Sequence, residues 1–114
     1  MNRSTAREIA IQLCFAGANG KLSADELLDS FFAEEHYASL AAEDELYSEY
    51  PDDKQMDYIR RLVKLSDENR NEFDGFIERY SHGWKVDRIS KTALAVLRCA
   101  LCEIIYMDDI PDSA

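Results

Sequence analysis

The sequence predicts an all-helical fold. Apolar residues recur at helical spacing in several segments, and no stretch alternates apolar and polar residues as a half-buried strand does. Only two prolines and four glycines interrupt 114 residues, which leaves few loop breakers. An apolar content of 46%, with 11% aromatics, is enough for one packed core and argues against a disordered chain. The length fits a single domain. It divides into an N-terminal helical part over about residues 1–50 and a C-terminal helical part over about 51–114.

Thr5 and Glu8 have capping-box spacing, and Ala6, Ile9, Ala10, Leu13 and Cys14 follow as one apolar stripe. They predict a first helix from about Ala6 to Ala16, ended by Gly17, Asn19 and Gly20. Ser23 and Glu26 repeat the capping-box spacing, and Leu27, Leu28, Phe31 and Phe32 give a second helix from about Ala24 to Phe32. The acid-rich stretch through Tyr50 admits a short helix around Ala38–Leu46, closed by Pro51. Asp52 or Asp53 caps the next helix, with Arg60, Arg61 and Lys64 placed later, as the helix dipole prefers. Its buried face is Met56, Ile59, Leu62, Val63 and Ser66. Phe73, Phe76, Ile77 and Tyr80 continue it as one kinked helix or a second one. Ser81-His82-Gly83-Trp84 reads as a loop with an aromatic plug. A last helix from about Ser90 to Tyr106 is apolar nearly all round, the pattern of a helix covered on several sides.

The net charge of −10 is unevenly placed. Residues 1–24 hold Arg3, Arg7 and Lys21 against Glu8, whereas residues 25–57 hold twelve acids and one lysine. The acidic middle reads as a solvated face. So acidic a body does not bind polyanions over its whole surface, and a nucleic-acid partner needs a local site. The segment from Met1 to Phe15 offers one: Arg3, Arg7 and the terminal amine form a small cationic tip.

Arg3 and Arg7 lie four apart and share a helix face if the helix extends back to Arg3. Arginines neutralise phosphates, and a helix N-terminus adds to that attraction. Ser4 and Thr5 have hydroxyls that donate to phosphate, although Thr5 also suits a helix cap. Gln12 has an amide suited to a base edge, or is an ordinary surface residue. Phe15 is either a stacking platform for a base or part of the core. Two arginines neutralise few phosphates, so the expected affinity is modest and its salt slope shallow.

Other chemistry finds little support. Cys99 and Cys102 form a C-x-x-C without a second pair, so they read as small buried thiols and not as a zinc site. His36 and His82 are placed on the surface or in loops, and Asp108 and Asp109 serve as a loop cap. No nucleophile–base–orienter set and no glycine-rich phosphate loop is evident, so neither catalysis nor a cofactor is expected. Three cysteines without a secretory signal, and no apolar stretch long enough to span a membrane, point to the cytoplasm.

Several fragments, in order, resemble the NusB family of transcription antitermination factors. They are Ala6-Arg7-Glu8 with Ala10 and Gln12, then Tyr80-Ser81-His82-Gly83-Trp84 and Asp87-Arg88-Ile89. Ala95-Val96-Leu97-Arg98, Glu103-Ile104 and Asp109-Ile110-Pro111 follow. The resemblance implies a helical bundle that binds single-stranded boxA RNA together with the ribosomal protein NusE and acts on RNA polymerase at ribosomal RNA operons. It assigns RNA contact to Arg3, Ser4, Thr5, Arg7, Gln12 and Phe15. Two alternatives stand beside it: a NusB-like protein-interaction module without RNA binding, and the RNA-binding domain of an RNA methyltransferase. Family members usually continue past the Ile-Pro element with two more helices, so the expectation is a C-terminally truncated bundle with an uncovered last helix and a tendency to self-associate. The family's acid–base pair early in the last shared helix is replaced by Thr92-Ala93-Leu94.

Overall fold

The computed structural model describes residues 1–81 and 85–109. The described residues form six α-helices and two short 3-10 turns, with no strand among them. In chain order these are α1 (Arg3–Asn19), α2 (Ala24–Phe31), α3 (Glu34–Ala41), a turn at Glu45–Tyr47, α4 (Asp53–Glu68), α5 (Arg70–Tyr80), a turn at Val86–Arg88, and α6 (Lys91–Tyr106). The glycine-tryptophan loop and the Ile-Pro element anticipated above lie outside the described residues.

The centre is a three-helix unit in which α1, α4 and α6 pack on one another. Each contributes an i, i+3, i+4 stripe: Ala6, Ile9, Ala10 and Leu13 from α1, Ile59, Leu62, Val63 and Ser66 from α4, and Ala95, Cys99 and Cys102 from α6. Tyr58 and Met107 close the same core. The amphipathic helix α2 packs on α1 and α4, and α5 packs on α6. No described helix is long and apolar enough to cross a membrane.

Local signals set most boundaries. Ser23 and Glu26 form a complete capping box on α2, Asp52 caps α4 through the Gln55 N–H, and Ser90 caps α6 through the Ala93 N–H. Asn69 ends α4 and opens α5, so of the two alternatives the segment forms two helices, and the Asn69 side chain donates to the Leu65 carbonyl at 2.9 Å. The start of α1 differs from the sequence reading. The cap is Asn2, whose side chain accepts from the Thr5 N–H at 2.8 Å, so the helix begins at Arg3 and not at Ala6. Asparagine at the N-cap satisfies an orphan amide as well as threonine does, and capping here leaves the Thr5 hydroxyl out of the role. The helix also runs through Gly17 to Asn19. Gly20 follows as an extended C-cap, where a Cβ would meet the Ala16 carbonyl oxygen at 2.9 Å.

The acidic middle segment is more than a solvated face. Its acids face outwards, while Tyr37, Tyr47 and Tyr50 turn in on Phe31 and Phe32 with ring centroids 4.9–6.0 Å apart. The Tyr37 hydroxyl donates to the Glu49 carbonyl and the Tyr50 hydroxyl to the Phe32 carbonyl, both at 2.8 Å. The Tyr47 hydroxyl donates to Gln12 of α1. The anticipated helix around Ala38–Leu46 is displaced: α3 starts earlier, at Glu34, and ends at Ala41.

The last helix is not covered on several sides, as its apolar pattern suggested, but lies open in part, as the resemblance implied. Leu94, Ala95, Cys99 and Cys102 are buried, but Val96, Leu97, Ile104, Ile105 and Tyr106 are exposed, with Ile104 at 73%. α1 and α4 cover one side, and α5 crosses only part of the other. An apolar groove lined by Phe76, Ile77, Tyr80, Leu97, Leu101 and Ile105 stays open between α5 and α6.

Replacing Asn2 by Ala should lower stability by about 1 kcal/mol in urea titration, whereas replacing Thr5 by Ser should change it little. A pH series adds a second check. Burial raises the phenols of Tyr47 and Tyr58 and pushes Tyr37 up to about 12 from an ordinary 10.0. A phenol raised in the folded state stabilises it fully below the unfolded pKa, and this contribution is lost as pH climbs through the folded value. Tm should therefore fall between pH 10 and about 12, with a shallower fall in Tyr37→Phe.

Candidate nucleic-acid interface

The first turns of α1 carry all six residues singled out for RNA contact, and the helix sorts them onto two faces. Ser4, Gln12 and Phe15 are exposed, at offsets of eight and three residues, with Glu8 midway between the first two. They form one outward stripe, because residues four apart on a helix nearly align. Phe15 is 38% exposed, so its ring edge meets solvent and is not sealed in the core. Thr5 is half-buried beside this stripe.

Arg3 and Arg7 lie on the flank that faces α4 and α6. The Arg3 guanidinium stacks over the Tyr58 ring, 4.1 Å from its centroid. Its Nη1 atom is buried without a hydrogen-bond partner among the described residues. Arg7 donates from Nε and Nη2 to the two carboxylate oxygens of Glu103, at 2.9 and 3.1 Å. This is the bidentate geometry that makes arginine–carboxylate pairs strong. The Tyr58 hydroxyl donates to the same carboxylate. The contact with Glu103 holds the Arg7 guanidinium above its ordinary pKa. Burial first, then the bond to Glu103, raises the Tyr58 phenol.

The cationic tip is thus smaller than the sequence implies. The terminal ammonium is paired with Glu49 at 2.8 Å, a contact that raises its pKa. Arg7 is paired with Glu103. A third ion pair lies nearby, where Arg61 donates to both oxygens of Asp109 at 3.0 Å. The Arg61 guanidinium holds the Asp109 carboxyl below its usual range, and Arg3 adds to that field. Asp109 therefore acts as an ion-pair partner for α4 and not as the loop cap expected from its position.

Sequence reasoning missed Tyr58, which lies 51 residues beyond Arg7 and carries no local signal of a contact with it. Glu103 entered only through the family resemblance. His36 is exposed on α3, and His82 lies outside the described residues. Cys99 and Cys102 are buried, and among the described residues no group of three or more His, Cys, Asp or Glu side chains is placed to hold a metal ion.

Residues 4–114 match the NusB family. The chain belongs to that family. It is 38% identical to the transcription antitermination protein NusB of Natranaerobius thermophilus, over 97% of this chain and 72% of that protein. It is 37% identical to the protein of the same name from Acetivibrio thermocellus, over 97% of this chain and 67% of that protein. For the one from Clostridium botulinum the identity is 30%, over 98% and 78%. No solved structure matches the chain. In this NusB-family chain the Arg7–Glu103 contact draws on two of the fragments that carried the resemblance, one from α1 and one from α6.

The two ends of this ion pair are partly screened from water, with 27% and 18% of their side chains exposed. Glu103→Gln should lower stability by about 1–3 kcal/mol, as expected for a lost hydrogen bond to a charged group. Arg7→Gln combined with Glu103→Gln should cost less than the sum of the single changes, measured as a double-mutant cycle in denaturant.

Proposed function

We propose that this chain is a cytoplasmic transcription antitermination factor. It binds boxA-type single-stranded RNA together with the ribosomal protein NusE, and the complex acts on RNA polymerase at ribosomal RNA operons. The observation that carries this reading is the match along nearly the whole chain to proteins named for transcription antitermination. The factor works by scaffolding. RNA and protein bind one rigid helical surface, and each raises the effective concentration of the other.

The outer stripe of α1 supplies chemistry that suits single-stranded RNA. Ser4 and Thr5 have phosphate-donating hydroxyls near the positive end of the helix. Gln12 has an amide for a base edge, and Phe15, partly exposed, is an aromatic ring on which a base can stack. Arg3, at the start of the same helix, lies over the Tyr58 ring and forms no ion pair with a carboxylate among the described residues. Arg7 serves the same site mainly by anchoring α1 to α6.

One observation favours a second reading, a protein-interaction module without RNA binding. Both the terminal ammonium and Arg7 are paired with acids of the chain itself, which leaves little positive charge to attract a polyanion. The open apolar groove between α5 and α6 also suits contact with protein, including a second copy of the chain.

Arg3→Ala should weaken binding of a boxA-like single-stranded RNA several-fold and reduce the salt slope by about one, while the lost contact with Tyr58 lowers stability by about 0.5–2 kcal/mol. Unchanged RNA affinity in Arg3→Ala combined with Arg7→Ala would remove the RNA-tip reading. Retained binding to the ribosomal protein without any RNA affinity would establish the interaction module. Sedimentation over a wide concentration range should show self-association that Leu97→Glu reduces.

A further inference from the structure

Three thiols sit within the bundle, and two of them touch across a helix interface. Cys99 on α6 donates to Cys14 on α1, with the sulfurs 3.3 Å apart. Cys99 is buried and Cys14 is half-buried. The third thiol, Cys102, turns away to the Leu62 carbonyl at 4.0 Å. A disulfide bond measures about 2.05 Å, so the pair is within about 1.2 Å of bonding distance. The two sulfurs face each other across the α1–α6 contact.

The two thiols differ in access and acidity. Cys14 lines a cavity of about 20 Å³ that it shares with Ser66, Arg70 and Arg98. That is more than the roughly 10–15 Å³ one water requires, so the half-buried Cys14 sulfur borders space for a small molecule. The Cys99 thiol, by donating to Cys14, holds Cys14 below its ordinary value, and Arg70 acts in the same direction against burial and Asp67. Cys99 is pushed up by its bond to Cys14 and by burial, so it remains the thiol of the pair. The buried Ser66 hydroxyl has no hydrogen-bond partner of full geometry, yet it lies close enough to all three thiols to favour their charged forms. Thiolate character and access are what select a cysteine for oxidation.

The geometry points to Cys14 and Cys99 as an oxidisable dithiol that hydrogen peroxide converts into a disulfide joining α1 to α6. The Cys14 thiolate attacks one peroxide oxygen and the O–O bond breaks. Cys14 becomes a sulfenic acid, and the departing hydroxide takes up the proton Cys14 has released and leaves as water. Cys99 then attacks the Cys14 sulfur. An S–S bond forms, the S–O bond breaks, and the hydroxyl leaves with the Cys99 proton as a second water. The two thiols lose two electrons, and one peroxide is reduced to two waters. The link would pin the helix bearing Arg3 and Arg7 to the helix bearing Glu103, whether or not RNA binds there.

The test treats the full native chain with hydrogen peroxide, blocks remaining thiols with iodoacetamide in denaturant, and maps peptides by mass spectrometry. The expected product is a monomer lighter by two hydrogens, with Cys14 linked to Cys99, Cys102 alkylated, and a raised Tm that falls back on reduction. The same treatment in concentrated urea should scramble the pairing among all three cysteines. Cys14→Ser should abolish the native link, and Cys102→Ser should leave it. Three alkylatable thiols after exposure that fully oxidises free glutathione would overturn the proposal. So would a native product that pairs Cys102, joins two chains, or carries Cys14 sulfonic acid without a link. The unsubstituted chain decides the matter even if a cysteine variant fails to fold.

Discussion

The carboxylate of Glu103 ties the three core helices together. It projects from α6, takes both donors of the Arg7 fork from α1, and accepts the Tyr58 hydroxyl from α4. A carboxylate drawn partly out of water is costly unless its oxygens are satisfied, and here each of the other two helices brings a donor. That requirement fixes how α1 is turned about its own axis. With Arg7 facing inwards, Ser4, Glu8, Gln12 and Phe15 must face outwards. The surface offered to any partner is therefore a consequence of the buried pairing. Arg3 completes the arrangement by lying over the Tyr58 ring, where an aromatic face replaces the second carboxylate that a simple ion pair would need.

The large negative charge is arranged to spare the core. In the middle segment the acids point to water and the tyrosines point inwards, so one stretch supplies both solubility and a packed aromatic cluster. Several of its acids also meet cations from elsewhere. Asp25 contacts Lys64, Asp29 contacts Arg60, and Glu49 contacts the terminal ammonium. Such exposed pairs add little stability one by one. Their effect here is on charge distribution: they cancel cations at the amino end and along α4 and leave Arg3 as the residue that most shapes the local field of α1.

The last helix has two unlike sides. One enters the core through Ala95, Cys99 and Cys102. The other meets α5 through the Arg98–Asp74 pair at 2.7 and 2.8 Å, with apolar residues exposed beyond it. The cysteines that looked like half of a metal motif take different roles once folded. Cys99 reaches across to Cys14 and Cys102 packs against α4. Residues i and i+3 on one helix share a face, but their neighbours on other helices decide what each sulfur touches.

By itself, the sequence determined the all-helical class, the stripes that become the core, the cap Ser23, and a cap at Asp52 or Asp53. These are local matters: periodicity and capping act within a turn or two, so they can be read from adjacent residues. It also placed six candidate residues within the first fifteen positions, three of them on the first helix. Tertiary structure alone decided which of them face outwards and which cations are already paired. Tyr58, Glu103, Glu49 and Cys14 meet their partners across 45–96 residues of chain. No spacing rule reaches that far, because such contacts depend on how α1, α4 and α6 rotate when their apolar stripes come together.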